Sequence, residues 1–372
     1  MKFSILQENL KTALTYLQKA VPTKPQLPIL SSILLQANEH SLVLAATDLY
    51  FGVRCTAPAK TITPGTIAIP GDIFKQLISS LPAGEIECTL SETQLIIKTT
   101  KTTSKIPVQD GSEFPQFPEV EGKEVEFTIG DLNEFDKNVA FSISLDQTRP
   151  VLTTLSFMFS STGLEVAATD GFRLALLQKQ THSSEDQTQL LLPAKALNEA
   201  VRIANQLKAA TISMVISLEL KQIKICVENT ELFVRLVEGE YPPYTRIIPD
   251  SFVLEVVIDA EEFMSQLKRA VLFARDSSNI VRLKILKDSG LEIIARSPAY
   301  GEFLSQMTYE GEVKEETEVA FNIHYLIDFI ANTKAEQIKI SVNESLRPVQ
   351  LSIPGVTSYR YIIMPFRTND SS

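Results

Sequence analysis

The sequence predicts an α+β protein assembled from three copies of one antiparallel unit. Two observations predict it: the chain repeats itself at a nearly constant spacing, and each copy holds more short alternating runs than helical stripes. Pro28-Ile29-Leu30, followed by Leu42-Val43-Leu44-Ala45-Ala46-Thr47-Asp48, recurs as Pro150-Val151-Leu152 followed by Leu164-Glu165-Val166-Ala167-Ala168-Thr169-Asp170, at an offset of 122 residues. A weaker third copy, Leu291-Glu292-Ile293-Ile294-Ala295-Arg296-Ser297, stands 127 residues after the second. The later half of the unit repeats as well, from Ile67-Ala68-Ile69-Pro70 through Leu190-Leu191-Leu192-Pro193 to Val319-Ala320-Phe321-Asn322. Units of 1–122, 123–250 and 251–372 follow, with breaks in the charged stretch Glu119 to Glu126 and near Pro249-Asp250-Ser251.

Within the units, Leu10, Leu14, Leu17 and Val21 form a helical stripe. A second helix runs over 194–207, with Leu197, Ala200, Val201 and Ala204 on its apolar face. Strands are expected at Ile33 to Ala37, Leu42 to Leu44, Gln222 to Val227 and Gln337 to Val342, with turns at Ser161-Thr162-Gly163 and Pro82-Ala83-Gly84. Few glycine-rich crossovers appear, which favours antiparallel over parallel pairing.

The composition, 44% hydrophobic and 22% charged over 372 residues, is that of an ordinary globular protein. No run approaches the length of a membrane span, and the first residues lack the pattern of a signal peptide, so a cytoplasmic protein is expected. Cys55, Cys88 and Cys226 are scattered and read as inert buried thiols. His40, His182 and His324 offer no zinc spacing, and no metal or other cofactor is expected. Phosphate-binding glycine loops, metalloprotease helices and nucleophile elbows are absent, so nothing argues for an enzyme.

A net charge of −10 argues against a uniformly basic nucleic-acid binder and makes charge placement decisive. Lys195 and Arg202 lie opposite the apolar face of the helix at 194–207, and Lys19 lies opposite the first stripe. Lys75, Lys137, Lys268, Arg269 and Lys334 fall on other expected helices. Taken one helix at a time these are solvated faces, with Glu8, Glu199 and Glu261 beside them. Lining one channel together, they would neutralise phosphates weakly and without reading bases.

Several motifs resemble one family along nearly the whole chain. Thr148-Arg149-Pro150-Val151-Leu152 and Ala168-Thr169-Asp170-Gly171-Phe172-Arg173-Leu174-Ala175 resemble the middle domain of the bacterial DNA polymerase sliding clamps. So do Lys24-Pro25-Gln26-Leu27-Pro28-Ile29-Leu30, Glu238-Gly239-Glu240-Tyr241-Pro242-Pro243-Tyr244 and Tyr361-Ile362-Ile363-Met364-Pro365-Phe366-Arg367 in their places. The resemblance implies a DNA clamp fold: antiparallel sheets outside, helices lining a central channel, and two chains joined head to tail around duplex DNA. It implies a non-catalytic processivity factor opened by a clamp loader that supplies the ATP. Further implied partners are the replicative polymerase alpha subunit, translesion polymerases, mismatch-repair proteins and others carrying a clamp-binding motif.

Carried over by motif, a peptide-binding cleft would use Leu152, Thr169, Gly171, Phe172, Arg173, Leu174, Pro242, Arg246 and Ile247. Asn322, Tyr325, Ile362, Met364, Pro365, Phe366 and Arg367 would complete it. Leucine, isoleucine, proline and methionine make an adaptable trough, and Thr169 and Arg173 would fix peptide direction. The first repeat has Leu49-Tyr50 after its Thr-Asp, so one cleft per chain is expected. The side chains implied to face DNA are Lys11, Lys19, Lys24, Lys75, Lys137, Arg149, Lys195, Arg202 and Lys268. The chain–chain contact would use Ile106 and Val108 on one side and Leu272 and Phe273 on the other, residues that read equally well as core. The chain departs from the family pattern in Lys24, in Phe366 and in the added tail Thr368-Asn369-Asp370-Ser371-Ser372. Two other readings stay open: an interaction scaffold that does not encircle DNA, and an enzyme using the same cleft.

Overall fold

The computed structural model describes residues 1–185, 187–287, 290–343 and 346–367. The tail from Thr368 onward lies outside them. In the first repeat the elements are β1 (Lys2–Leu6), α1 (Gln7–Leu17), β2 (Ser32–Asn38), β3 (Ser41–Thr47), β4 (Phe51–Pro58), β5 (Lys60–Thr63), β6 (Gly65–Pro70), α2 (Gly71–Ser80), β7 (Glu85–Ser91), β8 (Gln94–Lys98), β9 (Thr103–Pro107) and β10 (Gln109–Asp110). The second has β11 (Lys123–Thr128), α3 (Ile129–Asn138), β12 (Thr154–Ser160), β13 (Gly163–Thr169), β14 (Arg173–Lys179), β15 (Thr188–Pro193), α4 (Ala194–Leu207), β16 (Thr211–Ser217), β17 (Gln222–Val227) and β18 (Thr230–Arg235). The third has β19 (Leu254–Asp259), α5 (Ala260–Ala274), β20 (Ile280–Leu286), β21 (Gly290–Ser297), β22 (Gly301–Met307), β23 (Thr317–Asn322), α6 (Ile323–Thr333), β24 (Gln337–Val342), β25 (Val349–Ser352) and β26 (Tyr359–Ile363). Apart from the short extras β5 and β10, the three orders match, so the weakly similar third repeat has the same strand order as the others.

Among the described residues every strand pairing is antiparallel, as the alternating runs predict. In β17 the buried Ile223, Ile225 and Val227 alternate with half-exposed neighbours, the pattern of a strand with one face covered. In β12 and β13 burial is nearly continuous, because both faces are covered. Asp259 caps α5 through the Glu262 N–H at 2.7 Å, and Asn322 caps α6 through the His324 N–H at 3.0 Å.

Each repeat splits its strands between two sheets, and the sheets run on from one repeat into the next. The strand orders are β5-β1-β7-β8-β9, β10-β6-β2-β3-β4-β18-β17-β16-β11, β15-β12-β13-β14-β26-β25-β24-β19 and β22-β21-β20-β23. The fourth strand of the first repeat, β4, therefore pairs with the last strand of the second, β18. In the same way β14 of the second repeat pairs with β26 of the third. This continuity makes the compact units differ from the repeats: Met1–Leu132 with Lys195–Leu236 form one, and Asn133–Ala194 with Val237–Ser372 form the other.

The first helix ends earlier than its stripe suggests. It stops at Leu17, and Lys19 and Val21 lie beyond it. Pro22 keeps Val21 out of the helix, since a residue before proline is pushed out of the helical region. Lys334 is the left-handed C-cap of α6, at φ 51°, rather than part of its face.

Candidate partner-binding cleft and DNA-facing side chains

The Thr169-Asp170-Gly171 turn joins β13 to β14 and is built from its own side chains. The Thr169 hydroxyl donates to the Arg173 carbonyl at 2.6 Å and accepts the Gly171 N–H at 3.0 Å. The Asp170 carboxylate accepts the N–H groups of Phe172 at 2.9 Å and Arg173 at 3.0 Å. Gly171 has φ +95° with open space where a Cβ would point. The turn leaves Phe172 55% exposed. The Phe172 carbonyl accepts the Met364 N–H at 2.8 Å, which seats the chain end beside the turn.

Under this turn lies an apolar cluster. Leu174 and Ile362, opposite each other across β14 and β26, pack with Ala167, Leu176, Leu191, Tyr241 and Tyr244. Val151 and Ile247 pack against it and are only partly buried. The two tyrosines meet edge to face at 6.0 Å. The Tyr241 hydroxyl accepts the Thr169 N–H at 3.1 Å, and the Tyr244 hydroxyl donates to Glu165 at 2.7 Å. Burial raises the pKa of both phenols, and Glu165 raises that of Tyr244 further. The half-buried Met364 brings an adaptable thioether next to Phe172, on the strand end that follows the buried Ile362.

Arg173 does something the sequence did not disclose. Its guanidinium donates to Asp170 at 3.0 Å, to Asp328 of α6 at 2.6 Å and to the Phe141 carbonyl at 2.9 Å. It also lies over the rings of Phe141 at 5.6 Å and Tyr325 at 4.7 Å. Burial would lower its pKa, but Tyr361, Asp328 and Asp170 more than offset this and the net shift is upward. With its side chain only 10% exposed and three of its five N–H donors engaged in these bonds, Arg173 ties the β13–β14 turn to α6.

The remaining expected cleft residues sit nearby to differing degrees. Leu152 is buried in the short turn Pro150–Thr153, next to Val151. Pro242 and Arg246 are exposed around the turn Tyr244–Ile247. Asn322 spends its side chain on capping α6, and the Phe366 N–H donates to Ala320 at 2.8 Å. Pro365 is half-buried and Arg367 exposed. Asp328, Phe141, Tyr241 and Tyr244 were missed. The i, i+3 spacing of Tyr325 and Asp328 on one helix was the available signal for Asp328.

The expected DNA-facing cations divide into available and committed groups. Lys11, Lys19, Lys24, Lys137, Arg149 and Lys268 are exposed, and Lys75 is half-buried. Lys195 pairs with Asp48 at 3.3 Å and lies 5.1 Å from the Phe51 ring. Arg202 pairs with the buried Glu199 at 2.8 Å and donates to the Thr15 carbonyl at 3.3 Å. Its charge balances a desolvated carboxylate.

At the expected chain–chain contact, Ile106 is 6% exposed and faces the core of its own sheet, while Val108 is half-buried and donates its N–H to Thr93. Leu272 is 62% exposed, and Phe273 stacks on Phe303 of β22 at 5.9 Å. Among the described residues no group of metal-ligating side chains forms a site, and no helix is long and apolar enough to cross a membrane. Cys55 and Cys88 are buried, which pushes both thiols up to about 12. Cys226 is half-buried.

A threefold repeat whose sheets run on from one copy to the next defines the clamp class of proteins. Family models for the DNA polymerase III beta subunit match the N-terminal domain over 1–118, the central domain over 130–243 and the C-terminal domain over 245–367. The beta sliding clamp of Chlamydia muridarum is 30% identical over all of both chains, and that of Bacillus subtilis 26% identical over 99% of this chain and all of its own. Among solved structures, the Bacillus subtilis sliding clamp superimposes with a TM-score of 0.93 at 25% identity, covering 99% of each chain. The Thermotoga maritima beta subunit does so at 0.90 and 28%, again covering 99% of each. The chain belongs to the DNA polymerase III beta subunit family and has the three-domain clamp fold. It is a DNA clamp serving polymerase III processivity, not a polymerase catalytic subunit.

Proposed function

We propose that two copies of this chain close head to tail into a ring around duplex DNA, and that each copy docks partner peptides beside the Thr169–Arg173 turn. One observation carries the ring. Fourth strands of a repeat pair with last strands of the next repeat, as β4 does with β18 and β14 with β26. This leaves β22, the fourth strand of the last repeat, and β9, the last strand of the first apart from the short extra β10, as sheet edges. An open edge is a template for another strand. Joining β22 of one copy to β9 of a second repeats the internal rule, and such a head-to-tail contact makes a ring where its rotation closes, in the proposed assembly after two chains. Phe273 borders the β22 edge through Phe303, the exposed Leu272 stands next to it, and Ile106 lies on β9 itself.

In this ring the repeats at 1–122, 123–250 and 251–372 act as six domains, and the exposed lysines on the helices meet phosphate. The contacts are few and unspecific, which suits a protein that slides, while the acidic remainder of the surface repels DNA. The half-buried Val151, Ile247 and Met364, beside the buried Leu174 and Ile362, take the apolar–aromatic ends of partner peptides, including those of the polymerase alpha subunit, the clamp loader, translesion polymerases and mismatch-repair proteins. A cytoplasmic location follows from these partners.

The test is retention on DNA. The protein is loaded with a matching loader and ATP onto nicked circular DNA, and the circle is then cut. Retention on the circle and loss through the free ends is the expected result. Equal loss from both, or salt-sensitive binding to either, overturns the ring.

A further inference from the structure

The junction between the first and second repeats carries a pocket of about 280 Å³, lined chiefly by Leu49, Tyr50, Phe51, Phe117, Phe233 and Arg235. It occupies the place in the fold that the proposed cleft occupies at the next junction. The backbone frame is the same in both. Asp48 accepts the N–H groups of Tyr50 at 3.0 Å and Phe51 at 2.7 Å, as Asp170 does for Phe172 and Arg173. Thr47 accepts the Leu49 N–H at 3.0 Å and donates to the Phe51 carbonyl at 3.3 Å. The Arg235 N–H donates to the Tyr50 carbonyl at 2.9 Å, as Met364 does to Phe172. Tyr50 is 59% exposed, close to the 55% of Phe172.

The lining differs from that of the cleft, and the difference specifies an occupant. Four aromatic rings, Tyr50, Phe51, Phe117 and Phe233, stand among the lining beside Leu49 and Val234, and Phe117 packs on Phe233 with centroids 4.7 Å apart. Arg235 is the only charged residue among the described lining residues, and its guanidinium sits 5.9 Å from the Tyr50 ring at the mouth. The nearby Asp48 carboxylate is already taken by two backbone N–H groups and Lys195. On a chain of net charge −10 this is a locally cationic, aromatic-walled pocket. Its volume lies at the small end for ligand sites, enough for one or two residues. A residue with an aromatic side chain and its own carboxylate satisfies both features at once.

We propose that this pocket is a second peptide site on each chain, and that it takes the C-terminal residue of a partner whose chain ends in an aromatic side chain. The ring stacks among Tyr50, Phe117 and Phe233, and the terminal carboxylate pairs with Arg235. The assignment rests on this pocket's own lining, and it revises the expectation of one cleft per chain.

The test is ¹⁹F NMR of the full-length protein with an acetylated hexapeptide, Ser-Gly-Ser-Gly-Leu-Phe, carrying 4-fluorophenylalanine at its free C-terminus. Two bound signals are expected. Tyr50→Ala with Arg235→Gln removes one of them, and the peptide's C-terminal amide weakens that same signal by about tenfold, the scale of one lost charge-assisted bond. Met364→Ala weakens the other. Both changes at the first junction are at exposed positions, and circular dichroism checks that the fold is kept. A single bound signal that ignores Tyr50 and Arg235 overturns the second site. A single signal that depends on Tyr50 and Arg235 and ignores Met364 upholds it and overturns the cleft beside Phe172 instead.

Discussion

The two internal junctions, β4 with β18 and β14 with β26, share a backbone and differ in where they keep their cation. At the second, Arg173 stands on the strand itself and reaches both Asp170 and Asp328 from a nearly dry position. At the first, the equivalent strand position is Phe51, and the cation comes from α4, where Lys195 reaches Asp48 with its side chain 49% exposed. The turn's carboxylate is retained and its N–H bonds are retained. The counter-charge has moved from a buried fork to a solvated point charge. A repeated fold therefore preserves the hydrogen bonds that shape the turn more strictly than the ion pair that ties it to a helix.

The largest effect should come from breaking the buried latch. Arg173→Met leaves Asp170 and Asp328 without their guanidinium and should cost about 3 kcal/mol, the scale for removing one partner of a buried pair. Lys195→Met should cost well under about 1 kcal/mol, as exposed pairs do. Urea unfolding at fixed protein concentration compares them, and equal losses would mean that burial does not separate the junctions. Gly52→Leu comes next. Leu174 fills the equivalent place at the second junction, but at the first a Cβ on Gly52 would lie 2.5 Å from the Phe117 ring. The leucine must displace Phe117, a wall of the pocket, at a cost of about 1–3 kcal/mol for overpacking. The peptide signal that depends on Arg235 should vanish while the one that depends on Met364 stays.

Alkaline pH sharpens the contrast further. Tyr241 and Tyr244 have phenols raised above their ordinary value near 10 by burial, whereas Phe114 and Phe117 stand at the corresponding places of the first repeat. An acid whose pKa is raised on folding stabilises fully below its unfolded value and loses that contribution as pH climbs above it, because the unfolded chain then sheds a proton the folded one keeps. Stability should fall above pH 10 by at most about 1.4 kcal/mol per pH unit per tyrosine. Tyr244→Phe should flatten that fall, a change read by thermal melts between pH 9 and 11. An unaltered slope would place the alkaline sensitivity elsewhere.

What the sequence disclosed was local. The offset of 122 residues revealed the repeat, and the alternation in Gln222–Val227 and Gln337–Val342 matches β17 and β24. The apolar periodicity over 194–207 matches α4. The family motifs named residues that do come together, such as Leu174 with Ile362. What it concealed was long-range. Arg173 and Asp328 are 155 residues apart, and nothing in the segment around Arg173 points to Asp328 as its partner. The strand pairings between repeats are equally invisible, since any of several alternating runs could serve as the edge. The first-junction pocket was hidden for a chemical reason: Leu49-Tyr50 replaces Gly171-Phe172, which reads as a lost motif, yet both backbones make the same turn.

That substitution gives the smallest prediction. Leu49 sits at φ 78°, a conformation that costs a leucine about 1–2 kcal/mol in steric strain, while glycine forfeits about 0.5–1 kcal/mol of entropy when fixed there. Leu49→Gly should therefore stabilise by no more than about 1.5 kcal/mol. Gly171→Leu reads the same balance in reverse, and more cleanly, because no atom within 4 Å meets the added Cβ. The two shifts in urea midpoint should be opposite in sign and similar in size. Opposite shifts mean that the turn's backbone is one device used twice. Shifts of the same sign mean that Leu49 is held by packing that Gly171 lacks, and that the two junctions share only their outline.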